Sequence, residues 1–64
     1  GRHAVLTITG PYSLIPQGWA WLYGNWLPQS GETPAERPPF EMYVSDWATT
    51  PPEKLVTLIC MPLA

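Results

Sequence analysis

Hydrophobic and polar positions alternate along residues 2–9. Ala4, Leu6 and Ile8 point one way; His3, Val5, Thr7 and Thr9 point the other. Period two over a run of this length marks a β-strand, and Gly10-Pro11 stops it. The period then lengthens. Ile15, Trp19, Leu22, Tyr23 and Trp26 recur at helical spacing on one stripe, so a helix follows the first strand. Ser13 is the expected N-cap, and Pro16 falls in the first turn, where its missing N–H is not needed. Pro28 and Gly31 are expected to end the helix. Trp21 lies off the stripe, near Gly18 and Asn25, so it is exposed or covered from outside this fold. Residues 28–39 contain Pro, Gly and Ser together with Glu32, Glu36 and Arg37, and read as an ordered surface loop.

Alternation returns at residues 40–45, which otherwise read as a buried strand. Phe40, Met42 and Val44 share one face, and Glu41 and Tyr43 share the other. Residues 46–52 form a turn region, with a short helical turn expected over 49–53. A third strand runs over 55–61 and ends at Pro62. It is apolar on both faces, with Leu55, Ile59 and Met61 on one and Val56, Leu58 and Cys60 on the other. Strands of that kind are covered on both sides, and a single helix covers only one. The expected architecture is α+β: a strand-helix-strand-strand unit, its three-stranded, mainly antiparallel sheet carrying one helix on one face. Strands two and three are expected to be antiparallel neighbours.

Composition sharpens this picture. A chain of 64 residues makes one small domain, and domains of about this size bury only about 60% of their unfolded surface. Such domains gain support from disulfides, a metal or a partner chain. Cys60 is the single cysteine and His3 the single histidine, so neither an internal disulfide nor a structural zinc site can form. A partner surface or further sequence is the remaining support. The bases are Arg2, Arg37 and Lys54, and the formal net charge is −2. No basic patch exists to neutralise phosphates, so direct nucleic-acid contact from this segment is not expected. No apolar run approaches the roughly 20 residues that span a bilayer, and a lone thiol fits a reducing cytoplasm.

Candidate chemistry centres on Glu41. A carboxylate beside a phenol, on a surface rich in tryptophan, is how a pocket for a flat cationic ligand is built. If buried without a partner, the acid would carry a raised pKa or await a cation; the alternative is an edge-strand Glu paired with Arg2 or Lys54. Tyr43 shares its face and would stack on a ligand, hydrogen-bond the carboxylate or pack across strands. Trp19, Tyr23 and Trp26 are stripe residues, for which core packing competes with a ligand role. Trp21, off the stripe, is a pocket or partner residue. No Ser-His-Asp or Cys-His arrangement is available, and neither a cofactor nor a catalytic set can be named.

Several short segments occur in a telling order: Gly1-Arg2-His3-Ala4-Val5, Thr9-Gly10-Pro11-Tyr12, Gly24-Asn25-Trp26-Leu27-Pro28-Gln29-Ser30-Gly31, Pro39-Phe40-Glu41-Met42-Tyr43, Thr50-Pro51-Pro52-Glu53-Lys54-Leu55 and Met61-Pro62-Leu63. With these, the chain resembles the C-terminal half of the GyrI-like domain, also called the AraC-type effector-binding domain. The resemblance covers nearly the whole chain. It implies a full domain of two such units related by a pseudo-twofold axis, enclosing a ligand cleft in which Glu41 matches an acid that binds lipophilic cations between aromatic rings. It also implies a context in bacterial transcription regulation, or a stand-alone protein. Some relatives resemble hydrolases of electrophilic natural products, a role in which Glu41 would orient water, and one is a DNA gyrase inhibitor. Two residues depart from the family pattern: His3 stands where Tyr is usual, and Cys60 where an aromatic is common. With one unit in hand, a homodimer or an N-terminal half would complete the cleft.

Overall fold

The computed structural model describes residues 1–64. Three strands form one antiparallel sheet: β1 (His3–Thr9), β2 (Phe40–Tyr43) and β3 (Val56–Pro62). The order across the sheet is β1-β3-β2. The expected α+β unit is therefore what forms, with β2 and β3 adjacent. β3 takes the centre because it is the one strand apolar on both faces. In register, Ala4 faces Met61, Leu6 faces Ile59 and Ile8 faces Thr57, while Glu41 faces Ile59 and Tyr43 faces Thr57. These residues make one face of the sheet. His3, Val5, Thr7, Leu58, Cys60, Phe40 and Met42 make the other.

A single helix over residues 12–30 crosses the first face. It opens with a 3₁₀ turn (Tyr12–Leu14) and continues as α-helix (Ile15–Trp21). One widened π-type segment (Leu22–Trp26) and a last α-turn (Leu27–Ser30) complete it. Ile15 and Leu22 are buried against Ala4, Ile8, Ile59, Met61 and Leu63, with Trp19, Trp26 and Leu27 packed around them. Gly18 makes the approach close. A Cβ there would stand 2.4 Å from Ile8 Cδ1, and 3.4 Å from Ile59 Cδ1. Gly18 thus belongs to the sheet-facing stripe and not to the Trp21 side, where the sequence reading placed it.

The ends of the helix differ from expectation. Ser13 is not an N-cap; it lies inside the 3₁₀ turn, which closes with the Leu14 N–H on the Pro11 carbonyl. Pro28 does not end the helix either. A proline inside a helix lacks a donor, and its ring presses on the carbonyl four residues back, here that of Gly24. The segment just before it is widened by one residue, with the Leu27 N–H donating to the Leu22 carbonyl. The wider turn gives the ring room, and the helix continues to Gly31. There the backbone turns left-handed at φ 74°. Ser30 Oγ donates to the Leu27 carbonyl and accepts from the Glu32 N–H, which closes the terminus.

β2 is shorter than expected and is not a buried strand. It occupies an edge, with Phe40, Met42 and Tyr43 respectively 43%, 50% and 58% exposed. Pro38 and Pro39 precede it, and it closes where the Val44 and Ser45 N–H groups share the Val56 carbonyl. The short helical turn forms at Pro52–Lys54 rather than over 49–53. The 33–35 segment is tied to the end of β3, with the Ala35 N–H on the Pro62 carbonyl and the Ala64 N–H on that of Thr33, so the long loop is ordered. No helix is long and apolar enough to cross a membrane.

Candidate functional site

Glu41 projects from β2 toward the helix. Trp19 Nε1 donates to its Oε2 at 2.8 Å, and the Tyr43 hydroxyl donates to Oε1 in a short hydrogen bond. Strand pleating places Glu41 and Tyr43 on one face two residues apart, and Trp19 reaches them from the helix stripe. The carboxylate therefore has two donors and no cationic partner. Arg2 pairs with Glu32 instead, at 2.6 Å. The Tyr43 bond, and after it the Trp19 bond, hold the Glu41 carboxyl below its ordinary pKa, against a smaller opposing effect of burial. The raised pKa expected for an unpartnered acid does not occur, because the partners are built in. The same bond, with burial and the nearby negative charge, pushes the Tyr43 phenol above its ordinary pKa. At neutral pH the pair is an ionised acid and a neutral phenol.

Tyr43 also forms one wall of a cleft of about 540 Å³ with Tyr12, Ile15, Pro16 and Trp47. Its ring meets Tyr12 edge-on, at 5.4 Å between centroids and 68° between planes. The cleft lies between the start of the helix, the β2 edge and the loop after β2. That loop is shaped by Asp46, whose Oδ1 accepts the Ala48 N–H while its carbonyl accepts those of Thr49 and Thr50. The turn holds Trp47 out at the rim, 74% exposed. The lining carries no charged side chain. Glu41 lies one hydrogen bond behind the Tyr43 hydroxyl.

Four of the six residues singled out from the sequence come together. Glu41, Tyr43 and Trp19 share hydrogen bonds, and Tyr23 extends the group, its ring 6.0 Å from Trp19. Tyr23 is not a core residue; it is 42% exposed at the flank of the stripe. Trp21 and Trp26 lie elsewhere. They line a second, smaller groove of about 260 Å³ with Asn25, Gln29 and Ser30, and the two hollows share no residue. Trp26 also packs on the core. Tyr12, Ile15, Pro16 and Trp47 were not anticipated as lining residues. An exposed tryptophan in a turn that follows an acid-bearing strand was the available signal for Trp47. No group of three or more His, Cys, Asp or Glu side chains is placed to hold a metal ion.

A strand-helix-strand-strand unit with an acid presented beside an aromatic cleft agrees with a family match that spans the whole chain: the GyrI-like small molecule binding domain, over residues 1–64. The chain belongs to that family. Small-molecule binding is the activity its description names.

Proposed function

We propose that this GyrI-like chain is one lobe of a two-lobed, cytoplasmic receptor for a small aromatic cation. The ligand lies in the cleft of Tyr12, Ile15, Pro16, Tyr43 and Trp47, and Glu41 supplies the opposite charge. The observation that carries this reading is the Trp19–Glu41–Tyr43 hydrogen-bond set. Two neutral donors stabilise a negative charge without cancelling it, so the field of the carboxylate remains available to a cation. Aromatic walls add attraction for a delocalised positive charge, roughly 0.5–2 kcal/mol per ring according to exposure. A cleft of this size accommodates a drug-sized molecule, and a second lobe would be supplied by another copy or by an N-terminal half. Ligand occupancy would then be read out by transcriptional control, through a fused or associated DNA-binding domain.

The ionised Glu41 argues against a general-acid role, while an ionised carboxylate keeps the ability to orient water. A general acid must hold a proton at the working pH, and the hydrogen bonds at Glu41 favour the opposite state. Calorimetric titration with an aromatic quaternary ammonium ion tests the proposal. Binding that falls at least about tenfold in Glu41→Gln is expected, in line with about 1.4 kcal/mol or more for the lost charge. Unchanged affinity in that variant would remove Glu41 from the site.

A further inference from the structure

The two edges of the sheet are built differently. The β2 edge carries several devices that discourage pairing. It is four residues long, follows Pro38-Pro39 and ends where two N–H groups converge on one carbonyl. The β1 edge carries none of them. It runs for seven residues in unbroken register with β3, without proline and without a Lys, Arg, Asp or Glu side chain.

The hydrogen-bond phase shows which groups it leaves open. The Gly10 N–H donates to the Leu55 carbonyl, and the Leu63 N–H to that of Arg2. In the β1–β3 register these are hydrogen-bonded pairs, so even-numbered residues of β1 turn their backbone groups toward β3. The odd-numbered residues His3, Val5, Thr7 and Thr9 therefore present N–H and C=O groups outward, and all four are exposed. A long, flat, uncharged edge of this kind is a template for another strand.

The row of side chains identifies the partner. Ala4, Leu6 and Ile8 point to the helix side, and Val5, Thr7 and Thr9 to the open side, symmetrically about Leu6. Reversed, the strand matches itself. With Leu6 opposite Leu6 of another copy, Val5 meets Thr7, Ala4 meets Ile8 and His3 meets Thr9. No like charges are juxtaposed, and the flank of the half-buried Leu6 is covered. We infer that β1 pairs antiparallel with β1 of a second copy of this chain about a twofold axis at Leu6, making one continuous six-stranded sheet. The inference rests on the two-lobe reading above and names the surface that joins the lobes. Such pairing makes about eight backbone hydrogen bonds, two for each facing pair of odd-numbered residues. It also joins the two open sheet faces, each bearing Val5, Phe40 and Met42, into one apolar surface.

Amide exchange followed by NMR on the unaltered chain, over a range of concentrations, tests this directly. The Val5 and Thr7 amides should gain protection as concentration rises, in step with a dimer seen by sedimentation. Thr7→Pro removes an outward N–H and no β1–β3 bond. It should weaken the dimer about tenfold or more, while the Leu6 and Ile8 amides stay protected as the sign of an intact fold. Leu6→Cys should oxidise to a covalent dimer, because facing residues of a non-hydrogen-bonded pair lie within disulfide reach. A dimer whose Val5 and Thr7 amides exchange freely, and in which Leu6→Cys stays uncrosslinked, would overturn this inference and leave the two-lobe reading in place. A chain that remains monomeric at every concentration would also overturn it, and would leave an N-terminal half as the source of the second lobe.

Discussion

The two faces of the sheet share three strands and differ in what lies over them. On the helix side, Ile59 and Met61 are fully buried, and Ala4, Ile8, Ile15 and Leu22 close around them. On the open side, Val5, Phe40, Met42 and Val44 remain 55%, 43%, 50% and 59% exposed. Cys60 is buried there only because it lies on the central strand between Val5 and Phe40, with His3 and Phe40 meeting edge-on nearby. One face is a finished core, and the other has the composition of a core without a cover. Hydrophobic pattern alone does not make an interior; a second layer must be present to exclude water.

That contrast is easiest to break from the covered side. Ile59→Ala removes a side chain with no exposed surface and should cost about 2–5 kcal/mol. Met42→Ser, an apolar deletion on the open side, should change the stability of the single chain by no more than about 0.5 kcal/mol. Urea unfolding of both variants at low protein concentration checks the pair. Equal losses would mean that the open face is covered after all. Gly18→Val comes next. Its side chain would collide with Ile8 across the helix–sheet contact, and overpacking of this kind costs about 1–3 kcal/mol. The same chemical unfolding measures it, and a stability equal to that of the parent would contradict the close approach.

The site provides smaller effects. Because the Glu41 carboxyl is held below its ordinary pKa, its contribution to stability is complete above the unfolded value. It is lost only as pH falls through the lower, folded value. Cation affinity should follow the same course, flat across neutral pH and declining in acid below the ordinary Glu range. A carboxyl NMR titration locates that midpoint, and a midpoint above the ordinary value would contradict the Trp19 and Tyr43 donors. The Tyr43 phenol is shifted upward. Its contribution is complete below the ordinary Tyr value and disappears as pH rises through the higher, folded one. Ultraviolet titration should show Tyr43 ionising above the ordinary tyrosine value, and Glu41→Gln should bring it back.

Much of this was legible in the residues. Period two in residues 2–9 and the two-sided apolar run over 55–61 marked β1 and β3, while the central place of β3 emerged only in the sheet order. The stripe from Ile15 to Trp26 located the helix and the face it buries. The companionship of Glu41 and Tyr43 followed from strand alternation. Other features depended on neighbours that no local pattern names. Ser13 had the chemistry of a cap but fell within a 3₁₀ turn. Pro28 had the chemistry of a stop, yet one widened turn absorbed it. Tyr23 had the spacing of a core residue and lies at the flank. Trp47 carried no periodic signal, because it stands in a turn shaped by Asp46.

The amino-acid order determined which elements form and which side of each is apolar, because strand and helix periods are local properties of the backbone. Tertiary structure completed the electrostatic setting of Glu41. Tyr43, the larger influence, is a strand neighbour of Glu41, but Trp19 is far from it in the chain, and only the packing of helix on sheet adds the indole donor that further favours the charged form. It also decided which apolar face is an interior and which remains a surface, since that depends on what lies opposite and not on the residues themselves.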